Sequence, residues 1–243
     1  MSVLSENLER LEAEITAACR AAGRPRASVE LMAVSKTYPA ETMQEAAALG
    51  LYLFGENRVQ EFAQKALRAA EFRRVCQKER VRVHIIGHLQ SNKAAKAVEV
   101  FDAVDSLDSL KLAERLNDAA GKLAKKLPVL VEVKLSSEET KAGLDPHSAD
   151  AAQLLERLPD LAHLAVQGLM TIAPFGVSED ETRLCFRQLR TLRDQWAQQH
   201  PRLNLGVLSM GMSGDFPLAI AEGATRIRVG TALFGVRNYA VKP

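Results

Sequence analysis

Val29-Glu30-Leu31-Met32-Ala33-Val34-Ser35-Lys36-Thr37-Tyr38-Pro39 decides how this chain is read. The apolar, β-branched run reads as a buried strand, and Thr37-Tyr38-Pro39 cannot prolong it, because proline has no amide donor and restricts the residue before it. One lysine, Lys36, therefore stands at the mouth of a strand. The residues from 40 to 49 then carry a helical pattern, so the unit is strand, turn, helix.

That unit recurs along the chain. Hydrophobic period and punctuation predict a first helix over 3–22, with Leu4, Leu8, Leu11, Ile15 and Ala18 on one face, ended by Gly23-Arg24-Pro25. Strands are predicted at 29–35, 51–54, 82–86, 101–104, 128–134, 162–168, 205–208 and 225–229. Helices are predicted between them at 40–49, 57–70, 91–98, 108–124, 148–157, 179–198 and 215–222. Eight strands alternating with helices fit an α/β fold, a single (β/α)8 TIM barrel over residues 1–243 with the first helix as an extra. A doubly wound open sheet is the alternative. Closure is favoured by the count of eight and by polar residues that recur at strand ends: Lys36, Glu56-Asn57, His88 with Gln90, Asp105-Ser106, Thr171, Ser209 with Ser213, and Gly230-Thr231. In a barrel these would ring one mouth, whereas an open sheet would spread them along an edge.

Composition excludes several function classes. With 47% hydrophobic and 26% charged residues, the chain is long enough for one large core. A formal net charge of +2, with Lys and Arg scattered, gives no basic stripe for nucleic acid. No apolar run approaches the roughly 18 residues of a membrane helix, and residues 1–20 lack a signal-peptide core, so a cytoplasmic protein is expected. Cys19, Cys76 and Cys185 lie far apart and form no C-x-x-C pair, which fits a reducing compartment. His84 and His88 have zinc-like i,i+4 spacing, but the intervening Ile85-Ile86-Gly87 follows Val81-Arg82-Val83 and reads as strand, along which that spacing spans roughly 13 Å. No metal site is expected.

Lys36 and the last two βα units carry the chemistry. Burial in a barrel mouth disfavours the charged amine, and a neutral amine can condense with an aldehyde. Ser213-Gly214 follows the seventh strand and Gly230-Thr231 follows the eighth, where barrels commonly hold phosphate. Ser213 could instead merely cap the next helix, and Gly230 merely turn the chain. An amine and a phosphate cradle at one mouth suggest a phosphorylated aldehyde. Arg228 lies inside the eighth strand and by alternation shares a side with Arg226 and Gly230. Exposed, it is an ordinary surface residue; inside, it can donate to a pyridine nitrogen and keep that nitrogen unprotonated.

Ala33-Val-Ser-Lys-Thr37, Phe54-Gly-Glu-Asn-Arg-Val-Gln-Glu61, His84-Ile-Ile-Gly-His-Leu-Gln-Ser-Asn-Lys93, Gly168-Leu-Met170, Leu208-Ser-Met-Gly-Met-Ser-Gly-Asp-Phe216 and Ile227-Arg-Val-Gly-Thr-Ala-Leu-Phe-Gly235 closely resemble the pyridoxal 5′-phosphate homeostasis family. The resemblance covers nearly the whole chain. It implies an alanine-racemase-like, fold-type III barrel that binds pyridoxal 5′-phosphate (PLP), with Lys36 as the Schiff-base lysine. It further implies Ser213, Gly230 and Thr231 at the phosphate and Arg228 at the ring nitrogen. Asn57 and Met210 would line the pocket, with His88 nearby. Val133-Lys134-Leu135 is the main departure from the family pattern.

Related fold-type III enzymes, as the resemblance implies, add a β domain and take a second acid/base from a partner subunit. This chain ends at Pro243, directly after the eighth unit, and neither Tyr38, Tyr52 nor Tyr239 obviously supplies that group. The expectation is a monomeric, non-catalytic PLP carrier that supplies PLP-dependent apoenzymes. A weak racemase or decarboxylase, and a cofactor-free class I aldolase using Lys36, are the alternatives.

Overall fold

Strand β1 (Glu30–Val34) pairs in parallel with β2 (Leu53–Glu56) on one side and with β8 (Arg226–Val229) on the other, so the sheet has no edge. The computed structural model describes residues 2–68, 81–135 and 142–235. Between β2 and β8 follow β3 (Arg82–Ile85), β4 (Ala103–Leu107), β5 (Leu127–Glu132), β6 (Leu164–Met170) and β7 (Val207–Ser209), in closed sequential order. This is the predicted eight-stranded barrel. The last two residues of the predicted helix at 57–70, and Cys76 and Tyr239, fall outside the described residues.

Helix α1 (Val3–Ala21) is the predicted extra. Ser2 caps it by accepting from the Ser5 amide, and it buries Leu4, Leu11, Ile15 and Cys19 against the short helices that flank β8. The longest helix among the described residues, α2 (Glu179–Gln199), begins with a reciprocal capping box between Ser178 and Glu181. Helix α3 (Val59–Arg68) lies behind β2.

Alternation along each strand sorts the residues. Leu31, Ala33, Phe54, Val83, Ile85, Val104, Val129, Val131, Leu208, Ile227 and Val229 point outward into one continuous core beneath the helices. Met32, Val34, Leu53 and Ile86 form a separate apolar cluster inside the barrel. Below that cluster the interior is charged. Arg226 donates to Glu30 at 2.8 Å and to Asp105 at 3.1 Å, and His84 Nδ1 lies 3.0 Å from the other Asp105 oxygen. Burial alone would raise the Asp105 carboxyl, but His84, Arg226 and Arg228 outweigh it and hold the group below its usual range. His84 and His88 are thus in separate places, one in this floor and one at the mouth.

Three predicted strands sit about two residues too early: 51–54 against Leu53–Glu56, 101–104 against Ala103–Leu107, and 162–168 against Leu164–Met170. The first two run on into polar or small residues, Gly55-Glu56 and Asp105-Ser106, that a hydrophobic pattern reads as loop, and the third runs past Gly168, which reads as a strand end. The β5–β6 pairing also shifts register between Val129 and Leu130. Beside that shift Gly168 passes so near β7 that a Cβ there would meet the Val207 carbonyl oxygen at 1.9 Å, so only glycine fits.

Candidate functional site

The carboxyl ends of the strands open on a cavity of about 600 Å³. Lys36, Asn57, His88, Glu132, Ser213, Arg228, Gly230 and Thr231 line it, with Val34, Ile86, Ile172, Phe175 and Met212 as apolar wall. Pockets of this size and mixture suit small molecules.

Lys36 continues the inward file Glu30, Met32, Val34 of β1, which brings it to the mouth half-buried. Its backbone neighbours are held from behind the barrel wall. Lys65, on α3, donates to the Ser35 carbonyl at 3.1 Å and to Glu56 at 2.9 Å, while the Thr37 amide donates to Glu61 at 2.8 Å. Ser35 Oγ in turn donates to Glu56. Thr37 has φ of 72°, a left-handed conformation uncommon for a β-branched residue. Such strain directly after Lys36 persists because the surroundings impose it.

Arg228 is buried and faces inward, so the alternation argument holds and the surface alternative falls. Its guanidinium donates to Ser209 Oγ at 2.9 Å and to the Thr171 carbonyl at 2.8 Å. Among the described residues two of its five donors are thereby engaged, which leaves three for other acceptors. Burial disfavours its charge; Asp105, Glu132 and Asp215 favour it.

Ser213 does not cap the helix Phe216–Ala221. Its hydroxyl instead accepts from the Ala232 amide at 3.3 Å, tying the loop after β7 to the turn after β8. The two predicted halves of the phosphate cradle are therefore physically joined. Tyr38 closes the same seam: its hydroxyl donates to the Gly235 carbonyl at 2.8 Å, and its ring lies 4.9 Å from that of Phe234.

Several expected positions are corrected. Met210 does not line the cavity: Ser209 points inside to Arg228, so Met210 points outward into the core, fully buried, and Met212 takes the place at the wall. Glu56 lies behind β2 against Lys65, Asp105 lies in the floor, and Ser106, Thr171 and Ser209 make buried hydrogen bonds rather than ringing the mouth. Alternation turns Glu56 and Met210 away from the opening, whereas Asp105 and Ser209 face inward but lie below the mouth, engaged with Arg226 and Arg228.

Two residues that carry no signal in the motifs above act at the site, Glu132 in the cavity wall and Asp108 behind His88. Asp108 holds His88 Nδ1 at 3.0 Å, which leaves Nε2 of this exposed ring for other contacts. Glu132 is buried, and its Oε2 has no hydrogen-bond partner among the described residues. Burial first, then the nearby Asp108, push its carboxyl up to about 7 against the pull of Arg228. An acidic residue inside the run Leu127-Pro-Val-Leu-Val-Glu132-Val133 was the available signal.

A closed barrel with a lysine, an inward arginine and a small-residue cradle at one mouth defines the class: an alanine-racemase-type barrel. The family model for the alanine racemase N-terminal domain matches residues 7–238. The chain belongs to the pyridoxal phosphate homeostasis protein family. It is 41% identical over 242 residues to the member from Vibrio alginolyticus, spanning 99% of this chain and all of that one. The structure of PipY from Synechococcus elongatus PCC7942 with PLP bound is 45% identical, with a TM-score of 0.82 over 96% of this chain and all of that one. Alanine racemase from Streptomyces coelicolor A3(2), 23% identical with a TM-score of 0.68, shares the fold across 95% of this chain but only 59% of its own.

Among the described residues no helix is long and apolar enough to cross a membrane.

Proposed function

We propose that this protein holds PLP covalently through Lys36 and serves the storage and delivery of PLP in the cytoplasm, as a monomer that supplies PLP-dependent apoenzymes. The observation that carries the reading is one cavity that joins Lys36, the buried Arg228 and the linked Ser213 and Gly230-Thr231 turns. The residues fit the group. Arg228 retains donors for an uncharged ring nitrogen, and Gly230 puts bare backbone at the mouth beside Ser213 and Thr231, where an anion can be held. PLP supplies an aldehyde that condenses with amines. Asn57, His88 and the apolar wall shape the remaining surface.

The test is to titrate the purified protein with PLP, follow the visible absorption, then reduce with borohydride and map the modified peptide. A pyridoxyl group on Lys36 is expected; a protein that gains no colour returns the site to aldolase-type chemistry. Ser213→Ala is expected to weaken PLP retention several-fold, for the loss of roughly 1 kcal/mol, while the covalent link still forms. Competition dialysis checks it, and equal retention removes Ser213 from the cradle.

One observation favours a second reading, a weak PLP-dependent amino-acid racemase or decarboxylase. The His88–Asp108 pair and Glu132 place proton-handling groups at the cavity, where no tyrosine among the described residues stands. Exchange of the alanine α-hydrogen in deuterated buffer separates the two readings. The carrier reading expects none above background.

A further inference from the structure

The strands run in order around the ring, so β7, β8 and β1 are neighbours and β3, β4 and β5 form the opposite arc. Lys36, Ser213 and Gly230-Thr231 belong to the first arc. Glu132 stands at the end of β5 in the second. Alternation turns it inward, its own carbonyl is pinned by the Leu144 amide at 2.8 Å, and its side chain, only 3% exposed, lines the cavity. Its Oε2 is buried without a partner among the described residues. An unpartnered buried oxygen costs free energy that a ligand contact removes.

The ligand's own connectivity says which contact. On a pyridoxal ring the aldehyde carbon is flanked by the arm that bears the phosphate on one side and by the hydroxyl on the other. With the arm at the β7–β8 turns, the hydroxyl oxygen is directed to the opposite arc. We propose that Glu132 recognises this ring oxygen, donating a hydrogen bond to it as the neutral acid, and so makes retention specific for 3-hydroxypyridine aldehydes. The proposal rests on the reading of the cavity as a PLP site.

The charged groups around Glu132 are Arg228 from β8, Asp108 after β4 with His88 paired to it, Lys36 from β1, and Lys134 on its own strand's extension. Burial and Asp108 keep a proton on the carboxyl up to about pH 7, so the donor is present below that point and lost above it. Retention of PLP should therefore fall as pH rises through neutrality.

Equilibrium dialysis between pH 6 and pH 8.5, with PLP and with its 3-deoxy analogue, tests this on the wild type, Glu132→Gln and Glu132→Ala. The wild type is expected to bind PLP roughly three- to tenfold more weakly at the alkaline end than Glu132→Gln, whose amide donates at every pH. Glu132→Ala should be weaker by a similar factor at acid pH, and neither variant should alter binding of the deoxy analogue. Parallel pH profiles for wild type and Glu132→Gln, or equal losses for both ligands in Glu132→Ala, overturn the proposal. A wild type that binds neither compound and gives no borohydride adduct overturns the reading of the site itself.

Discussion

With Lys36 replaced by alanine, covalent PLP should disappear altogether: no visible absorption from the bound group, no borohydride adduct, and retention weaker by at least about a hundredfold, because an amine held in place acts far above its solution concentration. The fold should survive, since the side chain sits half-buried at the mouth and the contacts that fix its segment run through Ser35 and Thr37 backbone atoms, which alanine keeps. Lys36→Arg is the companion variant; it restores the charge but cannot condense. Absorbance, mass spectrometry of the reduced protein and dialysis give the three readouts. An adduct on Lys134, which also lines the cavity, would transfer the role to that residue.

Arg226→Ala is expected to have the largest effect on stability. Arg226 is the cation between Glu30 and Asp105 in the barrel floor, 3% exposed, and its removal takes the guanidinium hydrogen bond from a buried carboxylate, leaving it to His84 and the electrostatic pull of Arg228. Breaking a buried pair from one side costs about 3–5 kcal/mol. In a domain of this size that lowers the melting temperature by on the order of 10 °C. Arg82→Ala is the control. Arg82 bonds the same Glu30 at 2.7 Å, but its side chain is 45% exposed, and such pairs contribute about 1 kcal/mol at most. The pH dependence follows from Asp105. Its carboxyl lies below the usual value of 3.8 in the folded protein, so its contribution is present above that value and lost as pH falls through the folded one. Arg226→Ala should flatten this acid limb; thermal melts from pH 3 to pH 7 that keep the wild-type slope and midpoint would remove the floor from the stability account.

The architecture is legible in the sequence because closure needs only a count and a period, and both survive errors of two residues in strand position. The inward placement of Lys36 and Arg228 is legible for the same reason: parity along a strand is insensitive to where the strand begins. Met210 and Glu56 are different. Whether a residue at or just beyond the end of a strand faces the mouth depends on the parity of its neighbour, and Ser209 becomes readable as inward only once its bond to Arg228 is seen. Glu132 escapes because a single acid in an apolar run can equally end a strand or point inside it. The floor of Glu30, Asp105, His84 and Arg226 has no local signature, since its members lie as far as 196 residues apart in the chain.

The bond from Tyr38 to Gly235, with the Phe234 ring beside it, makes the first and last turns of the barrel one rigid piece. Lys36 lies two residues before one end of that piece and Thr231 four before the other. On the proposed reading, the gap between the amine and the cradle is thus set before any ligand arrives, and the seam would serve as a caliper: an aldehyde whose phosphate lies nearer or farther from its carbonyl would satisfy one jaw but not both.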